Sequence, residues 1–113
     1  MDGATRQRSK TAAAEAVAKV IYTGNALDDI ERAFEFLARR DSYRARAAVA
    51  AIRSAVDVLA DHPFIGPSMD GPLRELVISF GKTGYLALYR FRAERDEIKV
   101  LAIRHQRELD YLG

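Results

Sequence analysis

Residues 73–111 have the sequence LRELVISFGKTGYLALYRFRAERDEIKVLAIRHQRELDY, in which apolar side chains recur at every second position. Because successive side chains of a strand point to opposite faces of a sheet, this period of two predicts strands. One predicted face holds Tyr85, Ala87, Tyr89 and Phe91. In the last strand, strict alternation separates two sets of side chains, Ile98, Val100 and Ala102 on one face, and Leu101 and Ile103 on the other. With turns at 81–84 and 92–96, the stretch predicts a three-stranded antiparallel meander.

Two helices are predicted upstream of the meander, because apolar residues there recur every three or four positions. Asn25 is a candidate N-cap for the first helix. The core stripe predicted for that helix is Leu27, Ile30, Phe34 and Leu37. A second helix follows Asp41, and its predicted core stripe is Ala45, Val49, Ile52, Val56 and Leu59. The short connection between the two helices predicts an αα-hairpin.

The remaining segments complete the predicted order β–α–α–β–β–β. Residues 19–23 form a β-branched and aromatic run, which predicts the first strand. The prolines of residues 63–67 predict a fixed loop, with Phe64 and Ile65 turned inward. We therefore expect an α+β two-layer sandwich, in which the helical hairpin packs on a small, mainly antiparallel sheet. Residues 1–18 lack an apolar period and are expected to form a mobile or short helical extension before a domain at 19–113.

Composition limits the function classes. The chain has 113 residues, enough for one domain, and no apolar run near the roughly 20 residues that a membrane span needs. It lacks an apolar secretory signal and has no cysteine, which excludes disulfides and a thiol nucleophile and favours the cytoplasm. The net charge of +2 is carried by residues 1–19, and the rest of the chain is balanced, so no general basic stripe indicates a nucleic-acid binder.

The candidate functional residues follow the last strand, where 104–107 have the sequence RHQR. His105 has the side-chain type that titrates near neutral pH, although a histidine at a strand end more often serves packing. Arg107 and Tyr111 are the other tentative catalytic residues, for binding phosphate and for proton transfer. The candidate binding cations are Arg74, Arg104 and Arg107, and Arg74 has the alternative of an ion pair with Glu108 or Asp110. We expect no metal and no cofactor.

Several local patterns in this order carry a family resemblance. Residues 26–30 (ALDDI) open the first helix, and Leu59, Pro63 and Gly66 form an L-x3-P-x2-G pattern. Three further patterns lie on the predicted strands, LREL at 73–76, Gly84-Tyr85 with Tyr89-Arg90, and Ile98 to Ile103 followed by His105 and Arg107. From residue 20 to residue 112 the chain resembles the toxin superfamily that includes ParE and RelE. The resemblance implies a toxin neutralised by a cognate antitoxin.

The superfamily has two activities, and the chain departs from the pattern of one. RelE-like members cut messenger RNA on the ribosome with cations on the second strand, whereas ParE-like members poison DNA gyrase. Here Arg74 is the only cation on the second strand. The nuclease pattern also places an arginine two positions after the Gly84-Tyr85 pair. In this sequence the two residues after that pair are Leu86 and Ala87. The resemblance therefore implies a gyrase-binding toxin. A ribosome-dependent endonuclease and a non-toxic, antitoxin-binding homologue stay open as alternatives.

Overall fold

The computed structural model describes residues 17–107, and the predicted order β–α–α–β–β–β is confirmed in it. Its elements are β1 (Lys19–Tyr22), α1 (Gly24–Ala38), α2 (Ser42–Asp57), β2 (Leu73–Phe80), β3 (Thr83–Arg92) and β4 (Glu97–His105). Short 3₁₀ turns follow α2 at Val58–Ala60 and join β3 to β4 at Ala93–Arg95. Residues 1–16 of the expected N-terminal extension lie outside the described residues, as do Tyr111 and the possible ion-pair partners of Arg74, Glu108 and Asp110.

The four strands form one sheet in the order β1-β4-β3-β2. The last three strands pair antiparallel, which confirms the meander, while β1 pairs parallel with β4. Parallel neighbours need a long crossover connection, and in this fold the helical hairpin is the first part of that connection. Both helices consequently lie on one face of the sheet, in the α+β two-layer arrangement that was predicted.

The core lies between this helical layer and the sheet. Its fully enclosed large side chains are Tyr89, Ile52, Leu59, Ile98, Val56 and Val100. The predicted stripe of α2 is confirmed at four of its five positions, with Val49 half-buried. The predicted stripe of α1 is confirmed at Ile30 and Leu37, which pack against the core, and Phe34 is half-buried. It is wrong at Leu27, which is 53% exposed while Ala26 and Asp29 are buried. The first turn is oriented by a polar contact, since the Asp29 carboxylate binds the backbone of β4.

The start of α1 also differs from the prediction, because Thr23 is the N-cap instead of Asn25. The Thr23 hydroxyl oxygen accepts a hydrogen bond from Ala26 N at 3.1 Å. Asn25 lies inside the helix, and its Nδ2 donates to the carbonyl oxygen of Leu101 at 3.1 Å. The Thr23 hydroxyl donates to the same carbonyl at 3.3 Å. The entry into α1 is thus bonded to one residue in the middle of β4.

Leu101 is the extra residue of a β-bulge, and the bulge overturns the predicted alternation of β4. Tyr89 is paired with Val100 and Leu88 with Ala102, so Leu101 has no partner residue on β3. An inserted residue shifts the side-chain phase by one position. Ile103 therefore lies in the core cluster with Val100, whereas Ala102 is buried outside that cluster, contrary to the strict period of two.

The loop between α2 and β2 is held through its backbone, and the predicted inward side chains are exposed. Phe64 is 62% and Ile65 is 55% exposed, so that expectation was wrong. The Tyr89 hydroxyl accepts a hydrogen bond from Gly66 N at 3.0 Å and donates one to the Pro63 carbonyl at 2.8 Å. Because a core tyrosine binds the peptide groups directly, the loop is fixed without burying its apolar side chains.

Candidate functional site

Arg104 and His105 are the last residues of β4 and do not follow it as predicted, and the bulge places His105 on the helix-covered side of the sheet. His105 is paired with Tyr85, and the two rings meet edge to face with centroids 5.2 Å apart. The backbone nitrogen of Arg107 donates to His105 Nδ1 at 3.0 Å. In the neutral imidazole this bond leaves the proton on Nε2, since Nδ1 is the acceptor. Arg107 itself is exposed.

His105 and Arg107 line an open cleft of about 1140 Å³. The cleft lies between α1, the start of α2, the turn between β2 and β3, and the end of β4. Two carboxylates line it, Asp29 and Glu35, and its cationic side chains are Arg32, Arg39, Arg40, Arg44, Lys82 and Arg107. We call this feature the basic cleft.

One of the two carboxylates is already engaged. Asp29 is only 8% exposed, its Oδ2 accepts a hydrogen bond from Ile103 N at 2.9 Å, and its Oδ1 pairs with Arg32. A buried carboxylate needs such partners, because desolvation of an isolated charge is costly. The Asp29 charge is therefore compensated by Arg32, and the positive charge of the cleft comes from its other cationic side chains.

The turn between β2 and β3 brings a further cation close to α2. Gly81 has φ +64°, the left-handed region that favours glycine in a two-residue hairpin turn. The Arg44 guanidinium lies over the Phe80 ring, 4.7 Å from its centroid. A Cβ at position 81 would lie 2.8 Å from Arg44 Nη2. Gly81 is thus favoured by its backbone conformation, since the Arg44 side chain could move away from a Cβ, and Lys82 follows it among the residues that line the cleft.

The three candidate binding cations lie on three different surfaces. Arg74 donates to the carbonyl oxygens of Gly66 at 2.7 Å and Phe64 at 3.3 Å. Its guanidinium also lies 4.8 Å from the centroid of the Phe64 ring. Arg104 is exposed and is paired with Leu86, so it lies on the sheet face away from the helices, while Arg107 lines the basic cleft.

The cations of the cleft come from separate parts of the sequence, so no local pattern groups them. Arg39 and Arg40 directly follow the last residue of α1. A signal was nevertheless present, since a helical hairpin with a short loop brings the end of one helix beside the start of the next. Arg44, in the first turn of α2, was therefore a candidate neighbour of that pair.

The described part of the chain holds neither a metal-type cluster nor a helix that could span a membrane. Between residues 17 and 107, no three side chains among histidine, aspartate and glutamate are grouped so that they could hold a metal ion. None of the helices within the same residues has both the length and the apolar character that crossing a membrane requires.

Solved structures that share this arrangement of helices and strands include toxin–antitoxin systems. A structure described as the chromosomal ParDE system of P. aeruginosa matches with a TM-score of 0.67 and 21% identity, over 80% of this chain and 97% of that one. The RelBE2 toxin–antitoxin complex of Mycobacterium tuberculosis matches with a TM-score of 0.56 and 20% identity, over 80% and 99%. At these identities the likeness shows a shared fold.

The family itself is shown by sequence. Residues 20–110 match the family model described as the ParE toxin of the type II toxin–antitoxin system parDE. The chain therefore belongs to the ParE toxin family, as the local patterns along the sequence had indicated. Among curated proteins, no relative matches.

Proposed function

We propose that this toxin acts by binding DNA gyrase and not by cutting RNA. The observation that carries the proposal is that the Arg74 guanidinium, the only cation on β2, is already bonded within the protein. Its guanidinium is occupied by two backbone carbonyls and the Phe64 ring. Cleavage of a phosphodiester requires cations placed where negative charge develops, and losing one such donor typically lowers the rate about 10²–10³-fold. A strand with no available cation favours a binding toxin.

The target surface in this proposal includes Arg107. The side chain is exposed at the end of β4, and arginine is one of the residue types that anchor protein interfaces. Because the basic cleft surrounds it with further cations, the surface suits an acidic region of a partner protein. Gyrase operates on chromosomal DNA, so the proposal also places the toxin in the cytoplasm.

The cognate antitoxin is proposed to lie across the helical hairpin and along the sheet, through an arm that folds on binding. The hairpin exposes two aromatic side chains, Phe36 on α1 (67%) and Tyr43 on α2 (77%). The strand β2 is an outer strand of the sheet. Glu75 N bonds to the Pro67 carbonyl on its outer side, so the backbone groups of Val77 and Ser79 point the same way. These groups offer a template for strand addition.

A second candidate function, a ribosome-dependent endoribonuclease, is favoured by one observation. His105 lines the same cleft as five arginines, so a potential proton acceptor lies near potential phosphate ligands. The remaining alternative, a non-toxic homologue that only binds an antitoxin, would retain the docking surfaces without either activity. The three functions differ in what they do to DNA supercoiling and to messenger RNA.

Two assays with the purified full-length chain separate them. A gyrase supercoiling assay should show inhibition, and toeprinting of ribosome-bound messenger RNA should show no codon-specific cleavage. In growing bacteria, expression should induce the SOS response before translation stops. Cleavage with normal supercoiling would establish the nuclease, while the absence of both effects would establish the non-toxic homologue.

A further inference from the structure

The sheet face away from the helices is apolar at its centre. The side chains of β3 that alternate with its core residues are Leu86 and Leu88, so both point to this face. Strand pairing places their neighbours beside them in two rows, Glu75–Leu88–Ala102 and Val77–Leu86–Arg104, and we call these six residues the open face. An antiparallel sheet with one face in water ordinarily carries polar side chains there. The two leucines and Val77, which is 56% exposed, therefore indicate an interaction surface.

The open face carries one acidic and one basic side chain, at opposite corners. Glu75 lies on β2 at the end of the first row, and Arg104 lies on β4 at the end of the second row. Val77 and Ala102 hold the other two corners. Neither charge is paired with an opposite charge between residues 17 and 107. Both are therefore available to a partner that covers the face.

This arrangement of charges is complementary to itself. A two-fold axis along the line from Val77 to Ala102 exchanges the two charged corners, so Glu75 of each copy lies opposite Arg104 of the other. The same axis returns Val77 and Ala102 to their own corners, so apolar side chains meet apolar side chains. The interface of a two-fold dimer has this property, because the same patch of both subunits forms it.

We propose that the open face binds a second copy of this chain, so that two sheets stack face to face. Strands lie about 4.8 Å apart and rise about 3.3 Å per residue, so four strands of about eight residues offer roughly 15 by 25 Å per copy. This area is smaller than the roughly 800 Å² per partner of a stable complex and matches a transient dimer. The apolar centre leaves water on association, and the two Glu75–Arg104 contacts fix the relative orientation of the copies.

The test is sedimentation velocity of the purified full-length chain, from about 5 to about 500 μM, the range in which a transient dimer dissociates. The open-face variants are Glu75→Arg and Arg104→Glu, and each of them places like charges at both contacts. The matched controls are Glu31→Arg and Arg46→Glu, which reverse exposed charges on α1 and α2. Both helices lie on the other side of the sheet, so these controls leave the open face unchanged.

The wild type should dimerise as its concentration rises, and each open-face variant should weaken dimerisation by about tenfold or more. The two controls should sediment like the wild type. An equimolar mixture of the two open-face variants should dimerise again, because both contacts then join opposite charges.

A wild type that stays monomeric throughout would overturn the proposal, including the case in which a segment outside residues 17–107 covers the face. So would a dimer that both open-face reversals leave intact, or a mixture of the two variants that stays monomeric.

Discussion

The Asp29 carboxylate accepts a hydrogen bond from the backbone nitrogen of Ile103 at 2.9 Å and thereby joins α1 to β4. The pairing of β1 with β4 ends at Val100, so β4 has no strand neighbour on that side beyond the bulge. A buried backbone N–H without a partner costs free energy comparable to a lost hydrogen bond. The carboxylate supplies the acceptor that a neighbouring strand would otherwise provide. It thereby fixes the end of β4, which leads to His105 and Arg107.

Replacing Asp29 with alanine should lower the free energy of unfolding by about 1–3 kcal/mol, because Ile103 N–H would then be buried without a partner. Asp29→Asn should lower it less, since the amide oxygen still accepts. Urea denaturation measures both effects. Asp28→Ala is the matched control on the exposed side of the same turn and should change stability by less than about 0.5 kcal/mol. Equal effects of Asp28→Ala and Asp29→Ala would contradict the assigned role.

Gly66→Ala should be destabilising by about 1–3 kcal/mol, the usual cost of inserting a methyl group into a closely packed site. A Cβ at Gly66 would lie 2.8 Å from the Glu75 carbonyl oxygen and 2.9 Å from the Tyr89 ring. Gly24→Ala is the control, because a Cβ there meets nothing within 4 Å. Thermal melts of the two variants should differ clearly, and a Gly66→Ala melt that matches the wild type would show that the loop can shift.

Tyr89→Phe should lower the free energy of unfolding by about 1–3 kcal/mol at neutral pH, because Gly66 N–H loses its acceptor. Tyr43→Phe, at a position that is 77% exposed, should change it little. Burial raises the pKa of Tyr89 above its ordinary value near 10. The unfolded chain therefore ionises first, and the stability present below about pH 10 should be lost as the pH rises through the raised pKa. A Tyr89→Phe variant as stable as the wild type would exclude this role.

Arg107→Ala should abolish growth arrest and weaken gyrase binding, because it removes an exposed anchor, whereas His105→Gln should do much less. A supercoiling assay and a growth assay measure the two effects in parallel. The opposite order, with His105→Gln inactive and Arg107→Ala active, would favour the nuclease function instead.

Deleting residues 1–16 should leave the thermal midpoint within a few degrees of the full chain. The sequence of this segment has no apolar period, and a surface segment with few contacts contributes under about 1 kcal/mol. Differential scanning calorimetry of the two chains measures it. A decrease of more than about 10 °C would show that the segment packs as part of the fold.

The order of the elements and the two layers followed from local patterns in the sequence. The periods of two and of three to four separate the strands from the helices, and the turn residues limit each element. These signals lie within short windows of the sequence, so they can be read without knowing the contacts between remote segments. The meander, the helical hairpin and the α2 stripe followed from them, as did the family.

Which side chains share the site depends on contacts between remote segments. The bulge at Leu101 depends on the pairing of β4 with β3, and it moves Ile103 to the core face. The orientation of the first turn of α1 depends on Asp29 reaching Ile103, which is distant in sequence. The basic cleft exists because the hairpin loop brings Arg39 and Arg40 near Lys82. Each of these depends on contacts between remote segments, and a local period in the sequence carries no information about such contacts.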